Sequence, residues 1–597
     1  MKKRFLKLFY IVSLAALLSA IYTAFALPTI KSKVENPSFL LNERPIFPIY
    51  LNAIFIQKDL SNLAWADSLF TDSTETEMSN AVYTVGRNGG KILKNTMGTS
   101  VMTLPAFTVA HLLAQKKGDT ANGLSITYFV VYHWYGGLLL LIGWYLLWVV
   151  LSKYFTSAVK LVTLLAICAA TYWADLWQVL DQLDLIYLFF LHSALLYAAG
   201  LFFEKPKINT GILVGLILGL TVLLRPVEII LILIPILWKV SPKIHHLKVR
   251  LYHIIKNYKS YLYLILSMSL LIAMQITYWI KYSGQAFVFN DQVIGVTRDI
   301  SRLEAMMFGP KSGVFLYSPI LIVMVLGFFC MKSVLFRIIL PIFSVVLLIG
   351  WASINYYFWW NGGDSGSLYI NQLYVFLALP FAALVDFCLK RLWSGILLWL
   401  TISILTFLNF WRIHDETHGK LLAPPDITYE YLKAAVLKDS LTDQMVKLLD
   451  TDVSFGENIV GDSLLIKKSG LFCLNAKVQY SKRWELKQFP DKKYFRFKLD
   501  AIAQDREPEI WKHAQMIVSY YKGSRNIGND LLRIQRLLGG KTWHTIWLDS
   551  KVMEEAESIV ISIWNADSTN EICFRNLQLI GFDGILQSSK PFKSLKK

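Results

Sequence analysis

Three aspartates, Asp175, Asp181 and Asp184, lie close together between apolar runs, flanked by Trp177 and Tyr187. An ionisable cluster at membrane depth is costly without a task, so it reads either as a solvated turn or as a partly buried site for a substrate or ion. Arg225, followed by Pro226, also stands between two apolar runs. A guanidinium fork matches phosphate oxygens, so Arg225 is either a lipid-phosphate ligand or a cation snorkelling to the interface. Arg298 and Arg302 have the i,i+4 spacing of one helix face, with Glu304 and Lys311 close behind. They read as a phosphate clamp or as contacts to anionic headgroups. The stretch 353–369, SINYYFWWNGGDSGSLY, sets Asp364 and Ser365 among glycines at 362, 363 and 366 and beside aromatic rings. Such a stretch suits a sugar ring, or forms a plain tight turn between helices.

A long segment between two apolar runs, 28–122, carries Asn42, Glu43, Arg44, Gly89, Gly90, Lys91, Lys94 and Gly98. A connection this long beside apolar runs is usually functional, and we take it as the reaction face.

Composition fixes the class. Of 597 residues 55% are hydrophobic and 17% charged, and the mean hydropathy is +0.44, which points to a polytopic membrane protein. The net charge of +18 is not a nucleic-acid signal, because many cations sit in short loops between apolar runs, as the positive-inside rule expects.

The basic flank at Lys2, Lys3, Arg4 and Lys7 precedes an apolar run to residue 27, read as an uncleaved first transmembrane helix with a cytoplasmic N-terminus. Further spans are expected at 126–152, 157–174, 183–203, 210–224, 227–240, 260–281, 313–331, 338–352, 368–389 and 393–411, about eleven crossings in all. Loops holding Lys153, Lys205 and Lys207, the 239–259 cations, Lys332 and Arg337, and Lys390 and Arg391 then all fall on the cytoplasmic side. The division is thus a first helix at 1–27, a long extracytoplasmic loop with amphipathic helices at 28–125, the remaining bundle at 126–412, a linker at 413–449 with one short amphipathic helix near Ile427–Lys438, and an extracytoplasmic domain at 450–597.

That last domain alternates in the manner of strands at 470–481, 493–500, 515–521, 542–548, 558–565 and 571–580, which predicts a β-sandwich, jelly-roll-like. Trp484, Trp511, Trp543, Trp547 and Trp564 are available there for a core or for sugar stacking. Cys473 and Cys573 fall in its first and last predicted strands, where a disulfide and two free thiols are equally open readings. No metal-binding spacing, nucleotide loop or serine-hydrolase elbow is present.

Several stretches carry a resemblance in a shared order: YLNAIFIQKDL at 50–60, MGTSVMTLPAFTVAHLLA at 97–114, LLRPVEIILIL at 223–233, KSGVFLYSPILIV at 311–323, WWNGGDS at 359–365 and WNADSTNEICFRNLQLIGF at 564–582. With the span count and the outer C-terminal domain, the chain resembles the GT-C membrane glycosyltransferases, in particular the protein mannosyltransferase and aminoarabinose transferase branch, as a divergent bacterial member.

The resemblance implies inverting transfer of a sugar from a polyprenyl-phosphate donor to a lipid, glycan or protein acceptor, outside the cytoplasmic membrane of a bacterium. It implies Glu43 as general base, and Lys94 and Arg225 as cations that stabilise the phosphate leaving group. It names no cofactor beyond the lipid-linked donor and leaves a divalent metal open. Two departures stand out. Asn42, Glu43, Arg44 and Pro45 replace the Asp-Gly of relatives, and Ser367 to Ile370 stand where an arginine usually follows the glycine turn. A diverged transferase is the first reading. The alternative is a catalytically inactive GT-C-like membrane protein that binds or moves a lipid-linked glycan.

Overall fold

A computed structural model describes residues 49–65, 83–93, 96–123, 125–175, 179, 182–240, 244–288, 300–310, 313–332, 335–354, 373–415, 427–438, 442–487, 489–503, 512–538, 541–566 and 570–585. The chain forms two compact units, one ending at Phe410 and the other starting at Trp411, to which 309–311 also belongs.

The first unit is helical. Its helices are α1 (Gly98–Lys117), α2 (Ile126–Leu151), α3 (Ser157–Ala169), α4 (Leu183–Glu204), α5 (Ile208–Leu224), α6 (Leu233–Leu237), α7 (Ile244–Lys256), α8 (Tyr258–Ser283), α9 (Ile300–Phe308), α10 (Ile320–Leu326), α11 (Ile339–Ile354), α12 (Tyr374–Leu389) and α13 (Leu392–His414). A hairpin of β1 (Tyr83–Val85) and β2 (Lys91–Leu93) precedes them.

Four of the described helices, α2, α4, α8 and α13, are long and apolar enough to cross a membrane. This corrects the expectation of about eleven spans. Most of the other expected spans coincide with apolar helices of 10–17 residues, which at about 1.5 Å per residue fall short of a ~30 Å hydrocarbon core. At the break after α5 the cause is local chemistry. Pro226 lacks an amide hydrogen and drives the preceding residue out of the helical region. Arg225 accordingly takes extended angles, φ −141 and ψ 114, and the chain continues as a 3-10 segment, Pro226–Ile232, before α6. The expected first helix at 1–27 lies outside the described residues.

α4 is strongly apolar apart from a few polar residues and is the most enclosed of the four long helices, as a helix without a continuous polar face must be. Against α5 stands α8, and the sequence of α5 explains the closeness of that pair. Gly211, Gly215 and Gly219 recur every four residues and line one face, the small-residue pattern that lets helix backbones approach. A Cβ on Gly215 would lie inside van der Waals distance of Ser267 Oγ and the Leu264 carbonyl, and one on Gly211 would strike the Ser260 carbonyl. Gly215→Val is therefore expected to force α5 and α8 apart and to destabilise the first unit by about 1–3 kcal/mol. A lower unfolding temperature in detergent checks it, with Gly350→Ala as the control, since a Cβ at Gly350 meets open space.

α4 and α5 are joined by a short turn and run antiparallel, which separates two ends. Lys153 pairs with Glu204 at 3.5 Å at one, and Arg225 with Asp184 at the other.

The second unit opens with two short helices, α14 (Tyr429–Ala435) and α15 (Asp443–Lys447). The first is the short helix expected near Ile427–Lys438, and Ile427, Tyr431, Ala435, Met445 and Leu449 pack it with the second helix into a small core. All six expected strands are present as β4 (Phe472–Leu474), β6 (Tyr494–Ala503), β7 (Ala514–Lys522), β9 (His544–Lys551), β10 (Ser558–Asn565) and β11 (Ile572–Phe582). They are joined by β3 (Ser463–Lys468), β5 (Trp484–Leu486) and β8 (Arg525–Arg533). One sheet runs β9-β6-β11-β3, with β4 also on β11; the other runs β5-β10-β7-β8. Alternate residues of both, among them Phe497, Leu499, Val518, Ile561 and Leu579, share one core, which makes the two sheets a sandwich. The β4–β11 register sets Cys473 opposite Cys573, and they form a disulfide.

Candidate functional site

Three polar contacts of the first unit meet on α4, two of them with the helix break after α5. Arg225 Nη2 donates to Asp184 Oδ2 at 2.6 Å, and the side chains are 15% and 42% exposed, so this ion pair reaches solvent. Two turns further along α4, His192 Nε2 lies 3.1 Å from Glu228 Oε2, with both side chains fully buried. The His192 ring also meets Phe376 at 5.0 Å. Between these pairs, Tyr187 shares a 2.8 Å hydrogen bond with Thr103 of α1. One helix thus fixes α1, Arg225 and Glu228 together.

The segment before α1 is locked to the same break. Thr96 Oγ1 donates to the Leu224 carbonyl at 3.0 Å. Met97 N donates to Gln275 Oε1 at 2.8 Å, Gln275 Nε2 to Tyr50 OH at 3.3 Å, and Leu93 N to Tyr278 OH at 3.0 Å. Gly98 sits against the Leu223–Leu224 backbone so closely that no side chain fits. Lys94 lies outside the described residues. A guanidinium at a helix break, charge-paired and reachable from solvent, is chemically able to receive a phosphate or carboxylate.

Of the aspartate triad, Asp184 turns to Arg225, while Asp175 is buried after the turn Tyr172–Ala174. That turn is held by Asn409 Nδ2, which donates to the carbonyls of Ala169 and Thr171, both at 2.9 Å. Asp181, Glu43, Arg298, Lys311, Asp364 and Ser365 lie outside the described residues. The backbone of Arg302 falls in α9. Of the described carboxylates in the first loop, Asp59 accepts from the Asn62 and Ala64 amides at 2.8 and 3.0 Å and Asp119 accepts from Thr127, so both serve local turns. The buried Glu228 and His192 were passed over in the sequence. An acid three residues beyond Arg225 in an otherwise apolar run was the available signal.

The sandwich sorts its tryptophans. Trp484 packs on Phe472 at 6.0 Å, and Trp564 stacks with the exposed Tyr480 at 5.9 Å. Trp547 donates to the Phe455 carbonyl at 3.1 Å, while Trp543 lies 4.2 Å under the Arg575 guanidinium. Trp511 lies outside the described residues. Beside Trp543, Asp500 accepts from Thr545 at 2.7 Å, Asn576 at 2.7 Å and Arg575 at 3.3 Å. Partial burial works to raise the Asp500 carboxyl, but these hydrogen bonds and the Arg575 charge together outweigh it and hold the carboxyl below its usual range. A depressed acid stabilises the fold above its unfolded value of ~3.9, and that contribution is lost as pH falls through the lower folded value. Melting of wild type and Asp500→Asn should therefore differ at neutral pH and converge in acid.

Cys473, Glu571 and Cys573 bring three metal-capable groups within 4.8 Å, but the disulfide consumes both thiolates and removes them as ligands.

No family model matches the chain, and no curated protein matches it at a significant level.

Proposed function

We propose that this chain is a membrane glycosyltransferase of the GT-C kind, which moves a sugar from a polyprenyl-phosphate donor to an extracytoplasmic acceptor. The observation that carries the reading is the Arg225 junction. A guanidinium stands at a proline-broken helix end and pairs with Asp184, and Thr96 bonds the Leu224 carbonyl beside it. A cation so placed would stabilise charge on a departing phosphate; Lys94 is assigned to the same role by the resemblance alone. Glu43 is assigned as general base, by the resemblance alone.

The test is transfer of labelled sugar from a panel of polyprenyl-phosphate donors by the purified full chain. Wild type is expected to transfer, and Glu43→Gln to lose at least about 10²-fold while remaining monodisperse. Undiminished transfer by Glu43→Gln would move the base elsewhere. No transfer by wild type across the panel, with donor still bound, would replace the transferase by a protein that binds or moves the lipid-linked glycan.

A further inference from the structure

α7 is built for a surface. Residues 239–259 contain Lys239, Lys243, Lys248, Arg250, Lys256 and Lys259 and no acidic residue. One face of α7 is fixed to the first unit. Arg250 is buried, donates through Nε to the Ile236 carbonyl at 2.7 Å and through Nη2 to the Pro235 carbonyl, and stacks over Phe203 at 5.1 Å. His253 lies parallel to the same ring at 5.6 Å. The opposite face bears Leu247, Leu251 and Ile255, spaced by four, at 51%, 58% and 63% exposure. Lys248 and Lys256 are exposed beside that stripe.

Thirteen residues with this charge cannot cross a bilayer, since a helix of that length spans about 20 Å. Only Asn257 separates α7 from α8, one of the four helices long and apolar enough to cross. Ser260, in the first turn of α8, donates to the Pro206 carbonyl at 2.7 Å, which sets α7 at the Lys153–Glu204 end of the helices. The apolar stripe therefore begins where a membrane-crossing helix enters the boundary, amid cations. An apolar face rimmed by lysines at that depth matches acyl chains below and phosphate headgroups beside them.

We propose that α7 lies in the membrane surface, seats Leu247, Leu251 and Ile255 among acyl chains, and selects anionic phospholipid headgroups through Lys248 and Lys256. This rests on α8 crossing the membrane and is independent of the transferase reading. Because Arg250 ties α7 to the end of the 226–237 segment whose other end presents Arg225, the lipid contact also anchors the element that carries the candidate site.

The test uses the full chain with Cys168, Cys330 and Cys388 changed to serine and Leu251→Cys carrying an environment-sensitive fluorophore, in nanodiscs of mixed phosphatidylcholine and phosphatidylglycerol. Headgroup-nitroxide versions of each lipid are compared at equal mole fraction. Quenching by both is expected, several-fold stronger by the anionic lipid. Lys248→Gln and Lys256→Gln should each reduce that preference about twofold, their combination should bring it close to one, and both should leave quenching by the zwitterionic lipid intact. Absence of quenching by either lipid overturns the seating, and equal quenching in wild type overturns the selection of anionic headgroups. Energy transfer between labelled copies in place of lipid quenching assigns the stripe to a second copy and likewise overturns it. Ile255→Cys serves if Leu251→Cys does not assemble.

Discussion

Arg225→Ala is expected to lower sugar transfer by about 10²–10³-fold, the usual cost of removing one group that stabilises developing oxyanion charge. The fold should survive, because the pair with Asp184 is partly open to solvent and such pairs contribute only about 0–1 kcal/mol. Arg225→Lys keeps the charge but not the planar fork, and should recover part of the rate. Asp184→Asn removes the partner that Arg225 holds in the ligand-free protein. If Asp184 only orients the guanidinium, transfer should fall by no more than about tenfold, with the loss seen in kcat and not in donor KM. Equal rates for wild type and Arg225→Ala, at equal unfolding temperature, would remove Arg225 from the chemistry.

Pro226 predicted the break at Arg225, because proline's constraints act on its immediate neighbour and need no tertiary context. The strands of the sandwich were legible for the same reason, since alternation of inward and outward side chains is written locally. The pairing of Arg225 with Asp184 spans 41 residues and that of His192 with Glu228 spans 36, and no local pattern encodes which buried groups will meet. The glycines at 211, 215 and 219 were readable as a packing face, yet their partner, α8, was not. The span count erred because hydropathy registers apolar runs whatever their backbone. The 226–237 stretch is apolar throughout except for Glu228, but it is divided between a 3-10 segment and five residues of α-helix. The disulfide was undecided until the β4–β11 register set the two cysteines opposite each other.

Asp549→Ala is expected to destabilise the second unit by about 3–5 kcal/mol, the cost of stranding a buried cation. Arg496 and Asp549 are 3% and 0% exposed at the side chain. Their contact is bidentate, Nε to Oδ1 at 2.7 Å and Nη2 to Oδ2 at 3.1 Å, a geometry that a carboxylate and a guanidinium satisfy together and neither satisfies alone. The same guanidinium donates to the carbonyls of Phe455, Gly456 and Glu457, and Asp549 Oδ2 accepts from the Phe455 amide at 2.8 Å. The pair therefore fastens the chain ahead of the first strand to the sheet, with Trp547 in contact with both Lys447 and Arg496. Replacing both partners, as Arg496→Met with Asp549→Leu, should cost much less than Asp549→Ala, because no buried charge is then left alone. Chemical denaturation of the full chain, followed by tryptophan emission and by exchange of the Phe455 amide, reads both variants. The comparison also bears on function, since the transfer rate per folded molecule should be unchanged in the double variant if the sandwich holds or docks and Arg225 lies in the chemistry. A rate that follows the Asp549 lesion with the fold intact would instead draw the second unit into catalysis.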